Sequence, residues 1–134
     1  MDFSKAEREA MTAQVLRLLD DERFKPLFAP GSRAEVSIAG RLSQGPVAGQ
    51  VDRLAITADE VLIADYKTNR PAPARIADVP AVYKRQLALY RAVLQKIYPK
   101  KTIRAALIWT EVPDLMELSG EALDPALARI TSAR

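Results

Sequence analysis

Gly49-Gln50-Val51-Asp52-Arg53-Leu54-Ala55-Ile56-Thr57-Ala58-Asp59-Glu60-Val61-Leu62-Ile63-Ala64-Asp65-Tyr66-Lys67 reads as two strands joined by a tight turn. Residues 47–56 and 61–67 are rich in β-branched and aliphatic side chains, and polar residues 57–60 separate them as a turn would. If Thr57 pairs with Glu60, the register sets Ile56 opposite Val61, Leu54 opposite Ile63, Asp52 opposite Asp65 and Gln50 opposite Lys67. One face is then apolar near the turn and ionic at the open end. Directly opposed side chains have Cβ atoms about 4.5–5.5 Å apart, and like charges placed there are destabilising. Relief comes from a proton on one carboxylate or a cation between the two. Lys67, on the same face as Asp65, supplies one positive charge, and a divalent ion would supply the rest. A solvated ion cluster is the ordinary explanation of charged strand residues. Leu54, Ile56, Val61 and Ile63 on the same face argue against it and place the acids at the lip of a cleft.

The 134 residues suit one domain with a core of its own. The chain has neither cysteine nor histidine. That excludes disulfides, zinc–thiolate sites, histidine-dependent triads and the usual general base. Carboxylate, lysine, tyrosine and amide remain, and an all-oxygen ligand set selects Mg²⁺ or Mn²⁺ ahead of zinc. A formal charge of +3 and a pI near 9.3 permit a polyanionic partner without requiring one. No apolar run approaches the roughly 20 residues of a membrane span, and no signal-peptide pattern opens the chain. A soluble intracellular domain with no membrane partner is expected.

Around the hairpin, Ser4 and Glu7 have capping-box spacing, and Met11, Val15, Leu18 and Leu19 predict an opening amphipathic helix. Residues 24–31, broken by Pro26, Pro30 and Gly31, predict a loop whose aromatics are pinned to the core. Alternation over 33–39 predicts a strand with Val36 and Ile38 on one face, followed by a turn region over 40–46. Asp78 is the expected cap of a largely buried helix over 80–98. Residues 102–110 predict an interior strand, 116–118 a short edge strand, and 125–132 a last helix. The fold class is α/β or α+β, a mixed sheet flanked by helices in the order α-β-β-β-α-β.

Gly49-Gln50-Val51-Asp52, then Asp65-Tyr66-Lys67-Thr68, then Gln86 and Tyr90 in the spacing QxxxY, together resemble the PD-(D/E)XK nuclease superfamily and within it the RecB-like branch. The wording is closest to the C-terminal nuclease domain of the bacterial AddA helicase-nuclease subunit. D-x-K alone is a feeble pattern; the ordered set is a strong one. The resemblance implies a restriction-endonuclease-like core and a Mg²⁺-dependent deoxyribonuclease, with Mn²⁺ a possible substitute. It also implies exonucleolytic action on single strands in recombinational double-strand-break repair. Residues 1–134 would then be one nuclease domain, a fragment of a larger helicase-nuclease of the bacterial cytoplasm. Its partners would be DNA, helicase motor domains of the same parent chain and an AddB-type subunit. The rival from another class is a catalytically silent nuclease-like module that binds DNA or braces a subunit.

Carried over residue by residue, Asp52 and Asp65 would hold the metal, with the backbone carbonyl of Tyr66 as a third donor, and Lys67 would orient the attacking water. Val51 stands where the superfamily name has proline, as is usual in the RecB-like branch. RecB-like nucleases often add a histidine ligand from an upstream helix, and this chain has none. Glu35 is the candidate further acid, with a surface ion pair to Arg33 or Arg53 as the alternative. Gln86 and Tyr90, four apart, project from one helix face. Gln86 would position water or phosphate. Tyr90 would contact the nucleic-acid backbone or buttress Lys67, or else be an ordinary buried tyrosine. Thr68, Arg70 and Arg75 are candidate phosphate grips. Lys84, Arg85 and Arg91 give the helix a basic side that could follow a single strand or simply face solvent.

Overall fold

The computed structural model describes residues 5–7, 22–43, 45–69, 71–110 and 114–132. Five strands form one sheet in chain order: β1 (Arg33–Leu42), β2 (Gly45–Ile56), β3 (Glu60–Lys67), β4 (Thr102–Trp109) and β5 (Asp114–Leu118). Strand β4 runs parallel to β3, and the other neighbours are antiparallel. Helix α1 (Ala81–Ile97) makes the crossover that the parallel pair requires, and α2 (Gly120–Ser132) follows β5. This is the mixed sheet with flanking helices that the sequence predicts. Of the opening helix, only residues 5–7 are described, and they are helical; Met11, Val15, Leu18 and Leu19 lie outside the described residues.

The sheet is covered on both sides, which explains why β3 is buried from Val61 through Tyr66. On one side α1 lays Leu87, Tyr90, Val93 and Leu94 over Leu54, Ile63 and Leu107. On the other, Phe24 and Leu27 pack with Leu62, Ala64, Tyr66 and Ile108. Phe24 and Leu27 belong to a 3₁₀ helix, Glu22–Phe28, where a loop was expected. Pinning to the core is as predicted; the backbone differs because a short 3₁₀ turn tolerates the fixed φ of Pro26. Phe24 is fully buried, so Phe24→Ala is expected to cost about 3–5 kcal/mol in urea unfolding.

Other expectations need correction. Asp78 does not cap α1. Pro80 holds that position with no side-chain hydrogen bond, its ring fixing the entry angle, while Asp78 ends a 3₁₀ turn, Ile76–Asp78, and pairs with Arg75 at 3.1 Å. Helix α1 is not buried all round, since it meets the sheet and α2 but leaves Val82 and Ile97 more than half exposed. Ile56, expected on the apolar face, is 44% exposed; it sits at the turn end and lines a surface hollow with Ile97. Strand β1 continues through residues expected as turn, to Leu42, and α2 starts at Gly120 rather than at Pro125. At the far edge Arg104 bridges Glu60 and Glu117, tying β3, β4 and β5 together. Those hydrogen bonds, Glu60 first, raise its pKa above the ordinary arginine value.

Candidate active site

The hairpin has the register its sequence predicts. Ile56 pairs with Val61, Ala55 with Leu62, Leu54 with Ile63 and Arg53 with Ala64. The Thr57 N–H donates to the Glu60 carbonyl at 2.8 Å and closes the turn. Beyond Arg53 and Ala64 the ladder stops. There the Asp52 N–H donates to Asp65 Oδ1, and the Tyr66 N–H donates to Asp52 Oδ2, each at 2.9 Å. Each carboxylate thus accepts a backbone N–H from the opposite strand in place of a ladder bond between backbones, and β2 parts from β3. The expected ladder pairings of Asp52 with Asp65 and of Gln50 with Lys67 therefore do not form, although the two aspartates still meet through their side chains. Instead the Gln50 amide donates to the Glu35 carbonyl at 3.0 Å.

Asp52 also lies at a kink. Val51 and Leu54 both enter the core beneath α1, although strict alternation would send residues three apart to opposite faces. Across on β1, Glu35 stands between the pairs Ala34–Arg53 and Val36–Val51 and has φ of 55°, a left-handed backbone uncommon outside glycine. Glu35 is exposed. Among the described residues no three acidic side chains gather closely enough to hold an ion together. The geometry brings together two of the three candidate acids. Arg53, one alternative partner for Glu35, points its guanidinium at the Leu27 carbonyl and Ser32 Oγ.

Asp65 is 4% exposed, the one buried charged side chain among the described residues. Burial pushes its carboxyl up to about 6 from an ordinary 3.8. The hydrogen bond from the Asp52 backbone opposes that rise, the negative charge of Asp52 adds to it, and Lys67 draws it back.

Lys67 is held from helix α1. Its Nζ donates to Gln86 Oε1 at 3.4 Å and lies 4.4 Å from the Tyr83 ring centroid, a cation–π distance. An ammonium group only donates, so Gln86 turns its oxygen to Lys67 and leaves Nε2 to donate to the Tyr90 hydroxyl at 3.3 Å. Tyr83 is fixed in turn: its hydroxyl donates to Asn69 Oδ1 at 2.9 Å and its ring leans on Trp109. Tyr90 rests on Gly49, where a Cβ would fall inside the hydroxyl and 2.7 Å from Cζ. Only glycine lets β2 approach the ring so closely.

The sequence sets Gln86 and Tyr90 on one helix face, and the structure turns that face toward Lys67 together with Tyr83, which the sequence counts only as helix core. Positions 83, 86 and 90 share one helical face, and that spacing was the available signal. Of the predicted nucleic-acid contacts, Thr68 directly follows β3, and Arg70 lies outside the described residues. Arg75 is engaged with Asp78. Lys84 and Arg85 make no ion pair among the described residues. Arg91 is bound to Asp124 at 2.7 Å, which takes it out of the basic side.

Each carboxylate spends one oxygen on a backbone N–H, leaving Asp52 Oδ1 and Asp65 Oδ2. With the Tyr66 carbonyl these would offer oxygen donors alone, and a buried acid beside a second acid is an environment that a divalent cation relieves. The donor chemistry fits Mg²⁺ or Mn²⁺. Compared with models of known protein families, residues 2–129 match the PD-(D/E)XK nuclease superfamily. The chain belongs to that superfamily. PD-(D/E)XK proteins are usually nucleases and generally use a divalent metal, typically Mg²⁺, so nuclease activity and DNA binding are what membership supports here. No curated protein matches the chain. No helix among the described residues is long and apolar enough to cross a membrane.

In this PD-(D/E)XK protein Gly49→Ala should displace Tyr90, and with it Gln86 and Lys67. A misplacement of that order costs about a hundredfold in rate. The expected result is a loss of kcat with the fold retained, measured by single-turnover cleavage beside a thermal melt.

Proposed function

We propose that the chain is a Mg²⁺-dependent DNA nuclease of the RecB-like kind, hydrolysing phosphodiester bonds exonucleolytically on single strands during recombinational double-strand-break repair. The observation that carries the chemistry is the mutual capture of Asp52 and Asp65 across the parting strands, with Lys67 beside them braced by Gln86 and Tyr83. Exonucleolytic action on single strands and the repair pathway rest on the resemblance of Gly49–Asp52, Asp65–Thr68 and QxxxY to that branch. Its helicase motor domains and AddB-type subunit are partners on the same ground.

Asp52 and Asp65 would hold the cation, with the Tyr66 carbonyl as third donor. When bound, such an ion polarises a phosphoryl oxygen and lowers the pKa of a water. Lys67 would orient the attacking water and offset negative charge growing on the phosphate. Gln86 and Tyr90 fix the ammonium group rather than touching the reacting atoms. Thr68, Lys84 and Arg85, and Arg75 once released from Asp78, would grip phosphates.

One observation favours a second reading, a silent module that binds DNA or braces a subunit: among the described residues no third acid joins the pair. Calorimetric titration with Mn²⁺ separates the two. A nuclease gives saturable binding lost in Asp52→Ala and Asp65→Ala, and cleavage of a labelled oligonucleotide that EDTA abolishes. No such binding favours the scaffold.

A further inference from the structure

We propose that the hollow between the start of β2 and the first turns of α1 seats one unpaired nucleobase of the strand being cut, next to the scissile phosphate. This rests on the nuclease reading and adds a binding subsite to it. The hollow has a volume of about 350 Å³. Pro46 and Val47 form its strand-side wall, and Val82 and Leu89 its helix-side wall.

Three observations converge. The hollow is continuous with the site, because Gln86 and Tyr90, which brace Lys67, also line it. An occupant therefore lies within a residue or so of whatever Lys67 faces. Its walls are aliphatic, and Val82 stands 55% exposed there, an apolar side chain left in water beside a polar cleft. Arg85 lines the same hollow, is exposed, and makes no ion pair among the described residues. Apolar walls suit the face of a base or sugar, and a guanidinium suits the phosphate attached to it.

Size decides how many bases enter. About 350 Å³ is near the lower end for small-molecule sites, room for one nucleotide unit and not for a base pair. A base offers its flat face to aliphatic walls only when it is unstacked and unpaired. The hollow therefore selects single-stranded DNA by base contact, with Arg85 holding the strand in register. A second hollow of equal volume, behind β1 and lined by Leu94 and Ile97, shares no residue with the lysine brace.

The test compares an oligonucleotide of eight nucleotides with a fully abasic strand of the same length and charge. Binding is read by fluorescence anisotropy with Ca²⁺ in place of Mg²⁺, for wild type, Val82→Asn/Leu89→Asn and Arg85→Ala. Wild type is expected to prefer the strand with bases by about tenfold. The asparagine pair should lose that preference while still binding the abasic strand as wild type does. Arg85→Ala should weaken both strands equally and lower the salt dependence. The same base preference in wild type and in the asparagine pair overturns the proposal, as does no preference in wild type. Hydrolysis of the abasic strand, which has no base, is followed in Mg²⁺ in parallel with that of the oligonucleotide and should be unchanged in the asparagine pair. Base preference without hydrolysis of either substrate would sink the nuclease reading alone; hydrolysis without base preference would sink the base seat alone.

Discussion

Lys67→Ala is expected to abolish cleavage, a loss of about a thousandfold or more, with the fold and strand binding intact. Positioned proton-transfer and charge-stabilising groups are each worth about 10²- to 10⁴-fold, and Lys67 is placed to orient the water and to offset charge on the phosphate. Folding should survive because the ammonium group is only partly buried and its removal strands little besides Gln86 Oε1. Single-turnover cleavage of a labelled oligonucleotide in Mg²⁺, beside a thermal melt, reads both quantities. Lys67→Arg should not rescue, since a planar fork cannot occupy the same point between Gln86 and the Tyr83 ring. Retained activity in highly purified Lys67→Ala protein would count decisively against the assignment.

The second large effect runs in opposite directions for activity and stability. Asp65→Asn should end cleavage by removing one of the two acids, and should make the metal-free protein more stable at pH 8. In the native state Asp65 keeps its proton up to about pH 6, whereas the unfolded chain releases it near 3.8. Between those values the folded state binds the extra proton, so stability falls as pH rises, and above about 6 the whole penalty is present. The gap between about 6 and 3.8 sets an upper bound of about 3 kcal/mol. Asparagine escapes the penalty, and its side-chain oxygen can still accept the Asp52 N–H. Melting both proteins in EDTA from pH 4 to 8 should show the mutant's advantage growing across 4–6 and level beyond it. A constant difference, or one that shrinks as pH rises, would refute the account.

Much of this site is legible in the chain because a hairpin is a local object. The polar break at 57–60, flanked by aliphatic strands, leaves one register that buries Leu54 with Ile63, and that register carries Asp52 to Asp65. Lys67 follows by spacing alone. The kink at Asp52 is not legible, since alternation treats side chains as pointing up or down and has no place for a carboxylate that turns sideways to accept a backbone N–H. Nor is the brace on Lys67. Tyr83 reads as one more apolar residue of a helix, and its contact with the lysine depends on how α1 crosses β3. The 3₁₀ turn carrying Phe24 escapes for a similar reason: Pro26 signals the end of an α-helix and says nothing about the tighter turn that replaces it.

The parting of β2 from β3 divides the labour between short-range and long-range chain contacts. The acids meet through a turn of a few residues, while the lysine is steadied by side chains that arrive only after the crossover into α1. Turnover is therefore the property this architecture can shed most easily. A single exchange at position 49, 67 or 86 would leave sheet, helices and paired acids standing, so inert descendants of such a domain are one substitution away from active ones.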